Sequence, residues 1–215
     1  MRATILPIIL ALSLTTTLFA VTPPSPAGKL VDEMQAAWNE AKTYEAAFTQ
    51  EVYSKTLGGE PDTSHGTLSV IKPGKLRWEA SDGSLQILNG KQLWVIQTNA
   101  RRGVREVDYW PVASKAIDSK LLKFLSGKAE FKKLYTVKVL SESPKTAELR
   151  LISHTNVDES YIAEIDKSSY LLDLLTIEST DSRTRIKFTN IKTNVPLKAA
   201  LFEYEKRAGD IMHAH

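Results

Sequence analysis

Histidine, arginine and carboxylate side chains are the groups in this sequence that could carry chemistry, but their spacing forms none of the usual catalytic motifs. The sequence has no G-x-S-x-G nucleophile elbow, no Walker phosphate loop, no G-x-G-x-x-G and no H-E-x-x-H. Its carboxylates alternate with basic residues, which is typical of solvated strand faces. We therefore expect a protein that is not an enzyme and needs no cofactor, with an enzyme as a remote alternative.

The four histidines give no clear metal-binding pattern. His65 and His154 are far apart in the sequence and are predicted to be surface or loop residues. His213 and His215 lie beside Met212 and could together bind a soft or borderline metal. A frayed C-terminal tail is the favoured interpretation of this segment, so we expect no metal site.

Arg101, Arg102 and Arg105 form the only dense basic cluster of the sequence. A solvated loop is the favoured interpretation, and a contact with an acidic partner protein is the next. The formal net charge is only +3, from 28 basic and 25 acidic residues. Nucleic-acid binding through counterion release needs far more concentrated positive charge, so we expect no nucleic-acid partner.

The first residues predict export. Met1-Arg2 precedes an uncharged apolar run, Ala3–Ala20, which is typical of a signal peptide over residues 1–20, with a membrane anchor as the rival interpretation. Cleavage after Ala20 or as late as Ala27 fits the small residues there. The sequence has no cysteine, which excludes disulfides, thiolate metal sites and a lipid-modified N-terminal cysteine. Export without disulfides favours a bacterial periplasm.

The spacing of apolar residues predicts helices at the start and middle of a single domain over residues 29–215, after a Pro-rich linker over 21–28. Apolar residues recur at three and four positions from Gly28 to Lys42, which predicts an amphipathic helix. A second helical face carries Ile117, Leu121, Leu122, Phe124 and Leu125 and ends at Ser126-Gly127.

Elsewhere the apolar period is two, which predicts strands. Asn89-Gly90 lies between two apolar strands and predicts a tight hairpin turn. Short turns also separate five later strands: Tyr135–Leu140, Ala147–Ser153, Tyr161–Asp166, Leu171–Glu178 and Arg183–Ile191. The sequence therefore predicts one large antiparallel sheet that curls, with helices over its concave side.

Large side chains on these strands leave two interpretations open. Phe48, Trp78 and Trp94 either fill an ordinary core or line a half-covered cavity for an apolar guest. Composition does not separate the two, and core filling is the simpler interpretation.

Two motifs carry a family resemblance: Ile71–Glu79 (IKPGKLRWE) and Asn89–Trp94 (NGKQLW). Together with Phe48–Gln50, Gly66–Leu68, Leu121–Gly127, Pro196–Phe202 and Gly209–Ile211, in that order along the chain, they resemble the LolA family of periplasmic outer-membrane lipoprotein carriers. The resemblance implies a mainly β fold with some helix, in which an unclosed antiparallel β-barrel is covered by a helical lid.

The same resemblance implies a periplasmic carrier that shields the acyl chains of lipoproteins. It implies an inner-membrane ABC release complex as donor, an outer-membrane lipoprotein receptor as acceptor, transient membrane contact only, and a monomer. A carrier of another lipid, or a sensor of mislocalised lipoproteins, on the same fold is the alternative.

Candidate ligand-binding residues are those expected on the cavity wall: Phe48, Val52, Leu68, Val70, Lys72, Leu76, Trp78, Ile87, Val95, Ile117, Leu121, Leu122 and Leu125. Lys72 stands where the family usually has Arg, and we expect its ammonium to donate to backbone carbonyls of the lid and so act as a lid switch. The chain also has Ile96 in place of a frequent Tyr, and lacks the usual Pro before Gly209.

Overall fold

The computed structural model describes residues 26–99, 102–112, 125, 130–154 and 160–215. Two helices, a 3-10 helix and twelve strands follow one another along these residues: α1 (Pro26–Glu40), β1 (Thr43–Ser54), β2 (Asp62–Ile71), β3 (Lys75–Ala80), β4 (Leu85–Asn89), β5 (Gln92–Asn99), β6 (Val104–Pro111), α2 (Phe131–Leu134), β7 (Tyr135–Glu142), β8 (Thr146–Ser153), β9 (Ser160–Asp166), β10 (Leu172–Glu178), β11 (Ser182–Thr193), the 3-10 helix η1 (Ala199–Phe202) and β12 (Ile211–Ala214).

All twelve strands belong to one sheet, in the order β12-β6-β5-β4-β3-β2-β1-β11-β10-β9-β8-β7. Neighbours are antiparallel except for β12, which runs parallel to β6, and short connections join the antiparallel neighbours that are consecutive in the chain. The sheet curls, and among the described residues its edge strands β12 and β7 do not pair with each other. The predicted large antiparallel sheet is confirmed, and the parallel edge strand is an addition to it.

The predicted hairpin between β4 and β5 is present, but its two-residue turn lies one residue later than predicted. Its two central residues are Gly90 and Lys91, because Asn89 and Gln92 end the flanking strands. Gly90 has a φ of 94°, a left-handed value that glycine adopts without strain. The Asn89 side chain accepts hydrogen bonds from the backbone N–H groups of Lys91 and Gln92, both at 2.9 Å. Asn89 therefore stabilises the turn from its flank.

The first helix begins at Pro26, although that residue was predicted to belong to the linker, and it ends at Glu40 rather than Lys42. Proline is tolerated in a first helical turn because the N–H it lacks would have no helical partner there. The apolar side chains of α1 lie buried over the concave face of the sheet: Leu30, Val31, Met34 and Trp38. Among the described residues, no helix is long and apolar enough to cross a membrane.

The C-terminal segment covers the convex face instead. The 3-10 helix η1 lies against β3 and β4, and Phe202 within it is fully buried. The chain then reaches β6, where β12 pairs with residues 106–109. The expectation of a frayed C-terminal tail is therefore wrong, because backbone pairing with an edge strand orders it.

Candidate functional site

A cavity of about 350 Å³ lies on the concave face of the sheet. Its apolar wall comes from β3, β10, β11 and the residue at position 125, and consists of Leu76, Trp78, Ala80, Leu125, Ile177 and Ile186. Polar side chains complete the lining: Gln50, Ser64, Asp82, Ser84, Gln86 and Thr184. A site with both kinds of lining suits an amphipathic guest, whose apolar part contacts the wall while its polar part meets the amide and hydroxyl groups.

Aromatic packing holds one wall of this cavity. The rings of Phe48 and Trp78 are 4.1 Å apart between centroids, and Trp78 meets Phe188 edge-on at 6.4 Å. Phe48 crosses Gly66 on the neighbouring strand, where an added Cβ would lie 2.5 Å from the Phe48 ring and 2.0 Å from the carbonyl oxygen of Glu79. Only glycine fits there, so this position lets β1, β2 and β3 approach beneath the cavity.

A second, apolar chamber of about 20 Å³ lies beside the first. Its lining comes from α1, α2, the strands β1, β10 and β11, the loop before β10 and the residue at position 125, and consists of Met34, Trp38, Tyr44, Leu125, Phe131, Tyr170, Leu171, Leu172 and Phe188. Burial and, next, the charge of Asp173 raise the pKa of the Tyr44 hydroxyl, so this group stays neutral. Leu125 belongs to both linings and separates the two spaces.

Lys72 follows the end of β2 and lies under α1. Its Nζ atom is 4.2 Å from the centre of the Trp38 ring, which is a cation–π contact. The same atom is buried and has no hydrogen-bond partner among the described residues. Burial, and then the nearby charge of Lys42, lower the pKa of Lys72 to about 8. The expected bonds to lid carbonyls are therefore absent from the described part of the chain, and an aromatic face takes their place.

The structure brings most of the predicted wall residues to the concave face. Leu76, Trp78 and Leu125 line the cavity itself. Beside them on the same face, other predicted residues pack outside the cavity lining: Phe48, Leu68 and Val70 are buried, and Val95 is half-buried. The core-filling interpretation therefore holds for these neighbours of the cavity.

The remaining predicted wall residues lie elsewhere. Val52 is half-buried near the end of β1, outside the linings of both spaces. Ile87 lies on the opposite face, in a convex core with Trp94, Ile96 and Val107, so its assignment to the cavity wall is wrong. The period of two explains this, since its neighbour Gln86 is the residue that faces the cavity. Three further residues of the prediction lie outside the described residues: Ile117, Leu121 and Leu122.

Sequence reasoning missed the polar lining and two apolar residues of the later strands. Gln50 shares the face of Phe48 by simple alternation, so that signal was present in the sequence. Ile186 reaches the cavity because β11 pairs with β1, opposite Gln50. This pairing joins strands far apart in the chain, and local patterns do not contain it.

Arg105, predicted in a solvated loop, instead anchors the C-terminal segment. Its Nε atom lies 3.5 Å from a carboxylate oxygen of Asp210, whose side chain is only 1% exposed. The Tyr204 hydroxyl and the Arg207 backbone N–H also donate to this carboxylate. Burial alone would raise the pKa of Asp210, but these hydrogen bonds and the two arginines outweigh it and lower the pKa. Arg102 is exposed, as predicted, and Arg101 lies outside the described residues.

The histidines take surface positions. His65 and His154 are exposed, as predicted. His215 stacks on Trp110 at 4.5 Å between ring centroids and contacts Asp108 at 2.7 Å. Among the described residues, no three potential ligands of the His, Cys, Asp or Glu type are grouped for a metal.

An unclosed curled sheet with a cavity of mixed apolar and polar lining is the architecture of a binding protein for an amphipathic guest. The sequence model of the family described as outer membrane lipoprotein carrier protein LolA matches residues 39–205, so the chain belongs to the LolA family. The predicted family is thereby confirmed.

Individual relatives agree with this result. An outer-membrane lipoprotein carrier protein of Dechloromonas aromatica is 29% identical over 202 residues, covering 91% of this chain and 93% of its own length. One of Coxiella burnetii is 28% identical over 176 residues, covering 78% and 79%. A solved structure of an uncharacterized conserved protein from Thermus thermophilus shares the fold, with a TM-score of 0.55, 11% identity and coverage of 88% and 100%.

Proposed function

We propose that this protein is a periplasmic carrier that shields the acyl chains of lipoproteins on their way to the outer membrane. The observation that carries the proposal is the concave cavity, with its apolar wall of Leu76, Trp78, Leu125, Ile177 and Ile186. Membership of the LolA family and the names of the relatives support lipoproteins as the cargo.

Such a carrier works by binding and release, without covalent chemistry. Burying one CH₂ group contributes roughly 0.8 kcal/mol, so shielding about 10–15 of them contributes roughly 8–12 kcal/mol before the costs of association. Complete burial of several chains would hold the cargo too tightly for delivery. A cavity that shields the chains only in part leaves room for an acceptor with a better apolar surface.

The helix α1 covers this cavity face, and Lys72 contacts it from below through the Trp38 ring. We propose that this contact favours the closed, empty carrier and that the cargo competes with it. An ammonium on an aromatic face is a single point of attraction, weaker than a guanidinium, which can stack and donate at several points. The chain therefore carries a weak form of this latch.

The donor and acceptor of the cargo follow from the family. We propose an inner-membrane ABC release complex as donor and an outer-membrane lipoprotein receptor as acceptor, with a monomeric carrier that contacts membranes only transiently. Removal of residues 1–20 as a signal peptide, with cleavage as late as residue 27, would precede this cycle.

Native mass spectrometry of the mature protein, purified from periplasm, tests the carrier function. We expect adducts with the mass of acylated peptide or lipoprotein, and tight binding of an added synthetic triacylated peptide. The same peptide without acyl chains is the matched control and should not bind. A protein that is always free of adducts and indifferent to the triacylated peptide would contradict the proposal, and adducts with free phospholipid alone would favour a carrier of another lipid.

A further inference from the structure

Among the described residues, the two spaces on the concave face share one lining side chain. Leu125 is 4% exposed and is the one residue that the described linings of the 350 Å³ cavity and the 20 Å³ chamber share. We call these spaces the outer cavity and the inner chamber. Leu125 therefore forms part of the floor of the outer cavity and part of the roof of the inner chamber.

Among the described residues, the rest of the partition is aromatic and lies on strands. Trp78 of β3 faces the outer cavity, Phe188 of β11 faces the inner chamber, and their rings meet edge-on at 6.4 Å. Both rings are fixed by neighbours, since Trp78 also packs on Phe48 at 4.1 Å. Leu125 is an aliphatic side chain with staggered alternatives, so among the described members of the partition it is the one whose side chain can rotate aside.

The inner chamber suits the end of a hydrocarbon chain. Protein interiors are packed densely, with few voids larger than a water molecule, and the inner chamber exceeds that size directly beside the outer cavity. Its walls are aliphatic and aromatic, with tyrosine hydroxyls and the Trp38 indole as its polar groups. A methyl end loses nothing by entering such a space, whereas a water molecule would find few partners there.

We infer that the inner chamber is a subsite for the terminal carbons of a long acyl chain and that Leu125 sets the chain length at which it is reached. The inference rests on the proposed carrier function and adds a chain-length preference to it. Shorter chains end in the outer cavity against Leu125, and each further carbon is buried only when this side chain is displaced. Each additional CH₂ that is buried strengthens binding roughly fourfold.

Competition binding with a series of N-acylated dipeptides, from about eight to about twenty carbons, tests the inference through the chain length at which affinity stops rising. For the unmodified protein we expect a rise with length and then a plateau. In Leu125→Ala the two spaces join, so the rise should continue for about two more carbons and give roughly a fifteenfold gain for the longest probes. In Leu125→Phe the plateau should come at a shorter chain.

Two further variants keep the result decisive. Leu125→Val removes less volume, retains the fold more readily, and should lengthen the plateau by about one carbon. Ile96→Ala removes a comparable volume from the convex core and controls for a general loss of stability, so its plateau should not move. A plateau at the same length in all Leu125 variants overturns the inference while leaving the carrier function intact. Failure of the unmodified protein to bind any acyl chain would instead contradict the carrier function itself.

Discussion

The two faces of the same sheet are both apolar, but different parts of the chain cover them. On the convex face, the C-terminal segment covers Ile87, Trp94, Ile96 and Val107 with Tyr204 and Met212. On the concave face, the cover is the helix α1, and a 350 Å³ cavity remains. The buried Asp210 anchors the convex cover, and Lys72 contacts the concave one through a cation–π contact. The convex face also has a cavity, of about 290 Å³, but basic side chains line it beside Ile87 and Tyr204: Arg77, Arg105, Lys198 and Arg207. The described lining of the concave cavity contains no basic side chain, so the concave cavity is the one that suits a hydrocarbon chain.

Matched charge insertions give the sharpest contrast between the faces. Ile96→Glu places a carboxylate in the packed convex core, and we expect it to unfold the protein, because an unpaired buried charge costs several kcal/mol. Ile177→Glu places the same group at a half-buried position on the concave cavity wall, where polar residues share the lining. This variant should keep a nearly native circular dichroism spectrum and lose acyl binding. If both variants fail to fold, Ile177 is a core residue and the contrast disappears.

A cavity-creating change on the convex side should affect stability without affecting binding. Phe202 is fully buried, and Phe202→Ala should lower the free energy of unfolding by about 3–5 kcal/mol. Denaturant titration measures this loss, and acyl-probe titration under native conditions should give an unchanged affinity. A large drop in affinity would show that the convex cover also shapes the concave cavity.

The strands of both faces could be predicted from the sequence, since alternation and turn residues are local signals. The face of a given residue was harder to assign: Ile87 and Trp94 carry the same apolar pattern as their concave neighbours. Their assignment depends on the register across β3, β4 and β5. The position of Arg105 was also beyond local reasoning, because its partner Asp210 lies far along the chain, directly before the strand β12 that pairs with β6.

The carboxylate of Asp210, which anchors the convex cover, should also make the stability of the protein depend on pH. The pKa of Asp210 is lowered in the folded protein, so the folded state binds fewer protons than the unfolded chain as the carboxyl begins to titrate. This contribution to stability is present above the unfolded pKa of about 4 and is lost as the pH falls through the lower folded pKa. Thermal denaturation from about pH 7 to about pH 3 measures the loss.

Asp210→Asn removes this dependence and isolates its source. The variant should be less stable at neutral pH by roughly 1–3 kcal/mol, since a hydrogen-bonded carboxylate is lost beside Arg105. Its stability should then fall less steeply with acid than that of the unmodified protein. Asp62→Asn, on an exposed residue with no described ion pair, is the control and should keep the full acid dependence. Identical slopes in all three proteins would place the acid-sensitive group elsewhere.

The contact that holds the concave cover should give the smallest effect, a change of a few-fold in acyl affinity. Lys72→Arg stacks a larger cation on Trp38, favours the closed empty carrier, and should weaken acyl binding. Lys72→Leu removes the cation and should give tighter loading and slower transfer to receptor-containing membranes. Fluorescence titration of an acyl probe, followed by transfer assays, measures both quantities. Lys91→Leu, at an exposed lysine, is the control and should leave them unchanged.

Insensitivity to the charge at position 72 is the outcome that contradicts this latch. Equal acyl affinities and equal transfer rates in the unmodified protein, Lys72→Arg and Lys72→Leu would mean that Lys72 only packs its methylene stem under α1 and that another contact controls the cover.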